Sequence, residues 1–202
     1  MKEILLAENS GFCFGVNRAM EKTEKEIEKK QRYETAGALY TWGPLIHNQT
    51  VTDALRAQGV RIAENLDEVT AEDTLIVRSH GEARAFFEEA DRRGIHVVDA
   101  TCPFVKKIHD LVEEAYGKGY RIIILGDAQH PEVRGINGWC ENSALVVPTA
   151  EAAREIKEDK LFVVCQTTIR RELLDEVSAV LRSEGKQAEI HNTICGATTL
   201  RQ

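Results

Sequence analysis

The sequence predicts an α/β fold made of repeated units with small parallel sheets, and three observations predict it. Short β-branched runs alternate with charged, amphipathic stretches. Between the runs, apolar residues recur at helical spacing. A cysteine returns at the same kind of strand-to-helix junction about every ninety residues, the mark of an internal repeat.

Taken in order, EILLAE (3–8) reads as an N-terminal strand leading to Cys13. Val16, Met20, Thr23 and Ile27 then mark the apolar face of a helix, and the charged face of EKTEKEIEKKQR is solvated surface. TLIVRS (74–79) and IHVVDA (95–100) read as strands, and Val105, Ile108, Leu111, Val112 and Ala115 as a second helical face. Four further strand-like runs follow: YRIIILG (120–126), SALVVP (143–148), KLFVVCQ (160–166) and AEIHNT (188–193). The division expected from this pattern is an N-terminal strand over 1–13, a first α/β domain over 14–100, a second over 101–194, and the start of a third at 195–202.

Composition narrows the function classes. The 202 residues carry 26 basic and 33 acidic side chains, a net charge of −7, with the basic residues scattered; no electrostatic footprint for nucleic acid results. No apolar run approaches the ~18 residues of a membrane span, and the N-terminus lacks the apolar core of a signal peptide. A cytoplasmic protein with no membrane partner is expected. Five cysteines, an odd number, suit metal-binding or catalytic thiols better than a disulfide framework.

The repeat carries the chemistry. Cys13, Cys102 and Cys195 each end a strand-like run and open a helix, at spacings of 89 and 93 residues. His47 (LIHNQTV) and His130 (AQHPEVRG) follow comparable turns in the two units, and His80 (RSHGEA) matches Thr167 (CQTTIR). Functional groups of parallel α/β units gather where strands turn into helices. Units arranged around a pseudo-threefold axis therefore bring the three cysteines to one point, ringed by His47, His80, His130 and Thr167. A thiol at a helix N-terminus is favoured as thiolate, the metal-binding form. Three thiolates without a fourth suit either zinc or an iron-sulfur cluster with one iron free. The histidines, Thr167 and open helix ends would hold an anion such as diphosphate. Glu132, beside His130, is a candidate proton donor if it is kept from water; a lone loop glutamate is otherwise solvated. Cys140 and Cys165 read as structural, and His96, His109 and His191 as surface or satisfied core residues.

The motifs GFCFGV, HNQTV, SHGE, DATCP, HPEVRG, QTT and NTICGATTLRQ, in this order and over the whole chain, resemble the LytB/IspH family of 4-hydroxy-3-methylbut-2-enyl diphosphate reductases. The resemblance implies a four-iron four-sulfur cluster on Cys13, Cys102 and Cys195, with its fourth iron open to the substrate hydroxyl. It further implies an allylic diphosphate held by His47, His80 and His130, with Thr167 ordering the hydroxyl and Glu132 delivering protons. The implied reaction is a reductive dehydroxylation yielding isopentenyl and dimethylallyl diphosphates in the non-mevalonate route, with ferredoxin or flavodoxin as electron donor. A hydro-lyase using the open iron only as a Lewis acid, or a non-catalytic metal-binding module, are the alternatives. The family has a third domain after the last cysteine, largely absent from these 202 residues. A chain of this extent is therefore expected to be poorly active alone, with Cys13 and Cys195 mobile or far from Cys102.

Overall fold

The computed structural model describes residues 11–33 and 36–200. The EILLAE run and Arg201–Gln202 lie outside the described residues. Helix α1 (Phe14–Tyr33) follows Cys13 directly and buries Gly15, Ala19, Thr23 and Ile27 along one stripe four residues apart. The first sheet comprises β1 (Leu39–Trp42), β2 (Val60–Ala63), β3 (Thr74–Val77) and β4 (His96–Asp99). Its order is β2-β1-β3-β4, all parallel. Helices α2 (Gln49–Ala57) and α3 (Arg84–Arg92) connect its strands. Helix α4 (Pro103–Gly117) follows Cys102 and leads into the second sheet. That sheet, β5 (Arg121–Leu125), β6 (Leu145–Val147), β7 (Lys160–Cys165) and β8 (Gln187–Ile190), has the order β6-β5-β7-β8, again parallel throughout. It carries α5 (Pro131–Asn137), α6 (Ala150–Ala153) and α7 (Arg171–Ser183), and the short α8 (Gly196–Thr199) follows Cys195.

The two sheets thus share one topology, as the sequence repeat requires. Strands β1 and β2 were not among the sequence-read runs. Each is four residues long, and Arg61 breaks the apolar pattern of β2, an edge strand whose central residues are not buried. Of the runs that were legible, Leu75–Val77, Ile122–Leu125 and Leu161–Cys165 are buried on central strands, whereas β4 and β8 are edge strands with polar and exposed residues. In the second sheet Ile122, Ile124, Phe162 and Val164 face α4 and α5, while Ile123, Leu125, Val163 and Cys165 face α6 and α7.

The halves meet where the loop after β3 docks on α5 and its continuation. A Cβ on Gly138 would sit 2.2 Å from the Ala83 Cβ, and one on Gly135 3.5 Å from the Glu82 nitrogen. The Trp139 Nε1–H donates to the Glu82 carbonyl at 3.0 Å, and Arg84 pairs with Glu113 at 2.7 Å. This docking sets the turn after β3 against the turn after β5.

Candidate active site

Each of the three cysteines is built into the structure by the same local rule. Its carbonyl accepts the first helical hydrogen bond four residues on, from Asn17, Lys106 and Thr199 at 2.9, 2.9 and 3.1 Å. Two are also tied by backbone to a turn of the preceding unit: Cys102 N–H donates to the Ser79 carbonyl and Cys195 N–H to the Thr167 carbonyl, each at 2.9 Å. The cysteines consequently move with the turns that carry His80 and Thr167.

All three line one cavity of about 360 Å³, together with His47, His80, His130, Glu132 and Thr167. The size suits a small substrate. The expectation that Cys13 and Cys195 lie far from Cys102 is therefore not met. The backbone tie to Thr167 holds Cys195 in place although α8 spans only four residues. Gly15 makes the approach possible: a Cβ there would fall 2.4 Å from the Cys102 Sγ. Ser79 and Thr168 line the cavity too. The sequence reading did not name them, and the available signal was their place beside His80 and Thr167. Thr168 is held by Gln166, whose Nε2 donates to its Oγ1 at 2.8 Å.

The thiolate expectation needs correction at Cys102. Burial pushes its thiol above the usual range, and the neighbouring Cys195 and Cys13 add to the rise, outweighing the Phe104 and Val105 N–H groups at the start of α4. Charge on either neighbouring sulfur opposes a thiolate at Cys102 unless a positive centre lies between them.

The histidines form a cluster of their own. Ring centroids lie 4.7 Å apart for His47–His80, 5.9 Å for His47–His130 and 5.5 Å for His80–His130, and one nitrogen from each lies within 4.8 Å of the others. That spacing suits a cation or an anion, and the His130 tautomer favours the anion. His130 caps α5, its Nδ1 accepting the Glu132 N–H at 3.1 Å, so a neutral ring carries its proton on Nε2 and offers the cavity a donor. Burial, then the His47 and His130 rings and the Arg78 charge, hold His80 at about 3. His130 is lowered as well, first by burial.

Glu132 is 2% exposed. Its Oε1 accepts the Thr167 N–H at 2.6 Å and its Oε2 the Thr167 hydroxyl at 2.7 Å. Burial raises its pKa even against these bonds. A carboxyl whose pKa is raised, in contact with a hydroxyl on the cavity wall, can pass a proton through that hydroxyl when it turns to accept from the carboxyl.

Cys140 and Cys165 are fully buried and away from the cavity, as expected of structural thiols. His96 and His191 also lie off the cavity. His109 is buried, yet its Nε2 has no partner, so it is not the satisfied core residue the sequence suggested.

The LytB protein family model matches residues 4–202. A 4-hydroxy-3-methylbut-2-enyl diphosphate reductase of Caldanaerobacter subterraneus subsp. tengcongensis is 44% identical, the match covering 99% of this chain and 69% of that one. The reductase of Geobacter metallireducens is 42% identical, over 99% and 69% respectively. Among solved structures, the E-1-hydroxy-2-methyl-but-2-enyl-4-diphosphate reductase of Plasmodium falciparum superposes with a TM-score of 0.88 at 29% identity. That match covers 96% of this chain and 61% of that one. A second, described as the terminal enzyme of the non-mevalonate pathway, gives 0.81 at 37% identity, covering 100% and 71%.

Proposed function

The chain belongs to the LytB protein family, and from that premise we propose that it carries the catalytic centre for reductive dehydroxylation of 4-hydroxy-3-methylbut-2-enyl diphosphate to isopentenyl and dimethylallyl diphosphates. The reading rests on one observation: three helix-opening cysteines, three histidines and a buried glutamate line a single cavity.

The donor set fits a four-iron four-sulfur cluster. Three thiols meet with no fourth protein sulfur lining the cavity among the described residues, and Gly15 leaves the Cys102 sulfur room that a side chain would take. Cys13, Cys102 and Cys195 would hold it. When bound, such a cluster supplies a Lewis-acidic iron for the substrate hydroxyl and a store for electrons entering singly.

The chain's own residues do the rest. His47, His80 and His130 bind the diphosphate; burial lowers His80 and His130, and the anion's charge favours their protonated forms, so binding at these two rings takes up protons. Thr167 orients the substrate hydroxyl, and Glu132 passes a proton through the Thr167 Oγ1 to the departing oxygen, which leaves as water. Hydroxide is a poor leaving group, so this proton is part of the barrier. Two electrons and two protons balance the conversion, the electrons coming from a one-electron donor such as ferredoxin or flavodoxin.

Anaerobic reconstitution with iron and sulfide, followed by turnover assays with and without reductant, tests the reading. The wild type should be brown and reductant-dependent. Cys102→Ser should lose colour and iron, while Glu132→Gln should keep both and lose turnover by roughly 10²–10⁴-fold. Turnover without reductant would point instead to a hydro-lyase, and bound zinc without sulfide to a non-catalytic module.

A further inference from the structure

Four of the five buried polar side-chain atoms that make no hydrogen bond among the described residues belong to two adjoining segments: Arg78 Nε and His80 Nδ1 in the turn after β3, and Thr101 Oγ1 and His109 Nε2 in or just before α4. Native proteins hold few such atoms, and a concentration of them marks a segment kept for something other than stability. The turn is the one that carries His80, and its Ser79 carbonyl receives the Cys102 N–H.

His109 is the part of this cluster that no step of the proposed reaction uses. Its ring is 2% exposed and stacks on Trp139, with centroids 5.2 Å apart and planes 19° from parallel. Its edge faces Gly81, the residue after His80. A Cβ on Gly81 would lie 2.6 Å from His109 Cε1, 3.3 Å from its Nε2 and 2.9 Å from the Thr101 Cγ2. Gly81 also has φ of +73°, a conformation in which a side chain is strained. Trp139 in turn bonds the Glu82 carbonyl on the far side of the same turn. The turn is thus held at Gly81 by the edge of the His109 ring, from the helix that Cys102 opens, and at Glu82 by Trp139, on which that ring stacks.

We infer that His109 is a positioning residue for the anion pocket: wedged between Trp139 and Gly81, it fixes the turn that places His80 against His47 and His130. The role rests on the proposed diphosphate reading only through the ligand, since the placement of His80 is a property of the free protein. It is a role for the ring's shape. Its Nε2 makes no bond that a phenyl ring would lose, and apolar replacement of a partnerless buried polar atom is neutral or stabilising. Removing the ring leaves a void beside a glycine, and the turn can then relax.

Two measurements on the whole chain test this: affinity for inorganic diphosphate by calorimetry, and the His80 ring resonances by NMR, both well below the unfolding temperature. His109→Ala should weaken diphosphate binding by about tenfold and shift the His80 signals in the ligand-free protein, while His109→Phe should leave both near wild type. Gly81→Ala, acting on the same contact from the other side, should weaken binding too. In the double variant the two losses should fall well short of multiplying, as expected for groups that act through one contact. A His109→Ala protein that is less stable but keeps wild-type affinity and His80 signals would overturn the inference, as would strict multiplicativity in the double variant. Failure of wild type to bind diphosphate would overturn the pocket reading instead, and the His80 signals would still decide the role of His109.

Discussion

His109→Phe should make the protein less sensitive to acid. Burial, opposed by the Asp99 charge and aided by Lys106, holds the His109 ring at about 4, against about 6.5 in an unfolded chain. The native state therefore binds fewer protons than the unfolded state between these values, so stability is lost as pH falls through 6.5 and the loss levels off near 4. At pH 5 the unfolded histidine is largely protonated and the native one still neutral, which costs about 2 kcal/mol relative to pH 7.5. Other groups titrate in the same window. His80, held at about 3, loses stability in the same direction, while Glu132, raised by burial, works the opposite way. Comparing the variant with wild type removes these shared contributions. Urea unfolding of ligand-free protein at pH 7.5 and 5.0 reads the difference, which at an m-value of roughly 2 kcal/mol/M is a midpoint shift of about 1 M. The variant should keep about 2 kcal/mol that wild type loses, with equal or greater stability at neutral pH. An identical acid loss in both proteins would refute the claim that this ring is buried neutral.

Two other changes probe the cavity directly. Gly15→Ala places a methyl group 2.4 Å from the Cys102 Sγ, so the reconstituted protein should hold less iron and sulfide per chain by elemental analysis; wild-type content would contradict the close approach of α1 to this sulfur. Thr167→Val removes the hydroxyl bonded to Glu132 Oε2 and keeps the backbone bond to Oε1, so turnover should fall by roughly 10²-fold while inorganic diphosphate affinity changes little. Unchanged turnover would show that the proton travels by another path.

The repeat was legible because it is written in residue type: a cysteine before each of three helices, a histidine before α2 and α5, and apolar runs at the central strands β3, β5 and β7. Such features follow from chain-local chemistry, from helix starts, turns and periodicity, and need no knowledge of neighbours. They named the three cysteines, His47, His80, His130, Glu132 and Thr167, but not Ser79 or Thr168 on the same cavity wall. Strands β1 and β2 escaped because LYTW mixes aromatic and polar residues with a single aliphatic and Arg61 interrupts VRIA; the pairing of β1 with both β2 and β3, not composition, makes them strands. The properties that turn a residue into a working group were decided by tertiary structure alone. Glu132 reads as a solvated loop residue, but the packing of α5 against β7 buries it and seats Thr167 on both its oxygens. Cys102 sits at a helix N-terminus that should favour thiolate, yet burial beside two other sulfurs pushes it the other way. His109 resembles any core histidine until Trp139 stacks on it from the segment after α5 and Gly81 closes on it from the other half of the molecule. The reason is common to all three. A charge's environment is set by what surrounds it within a few ångströms, and those neighbours come from segments far apart in the chain, which no local pattern records.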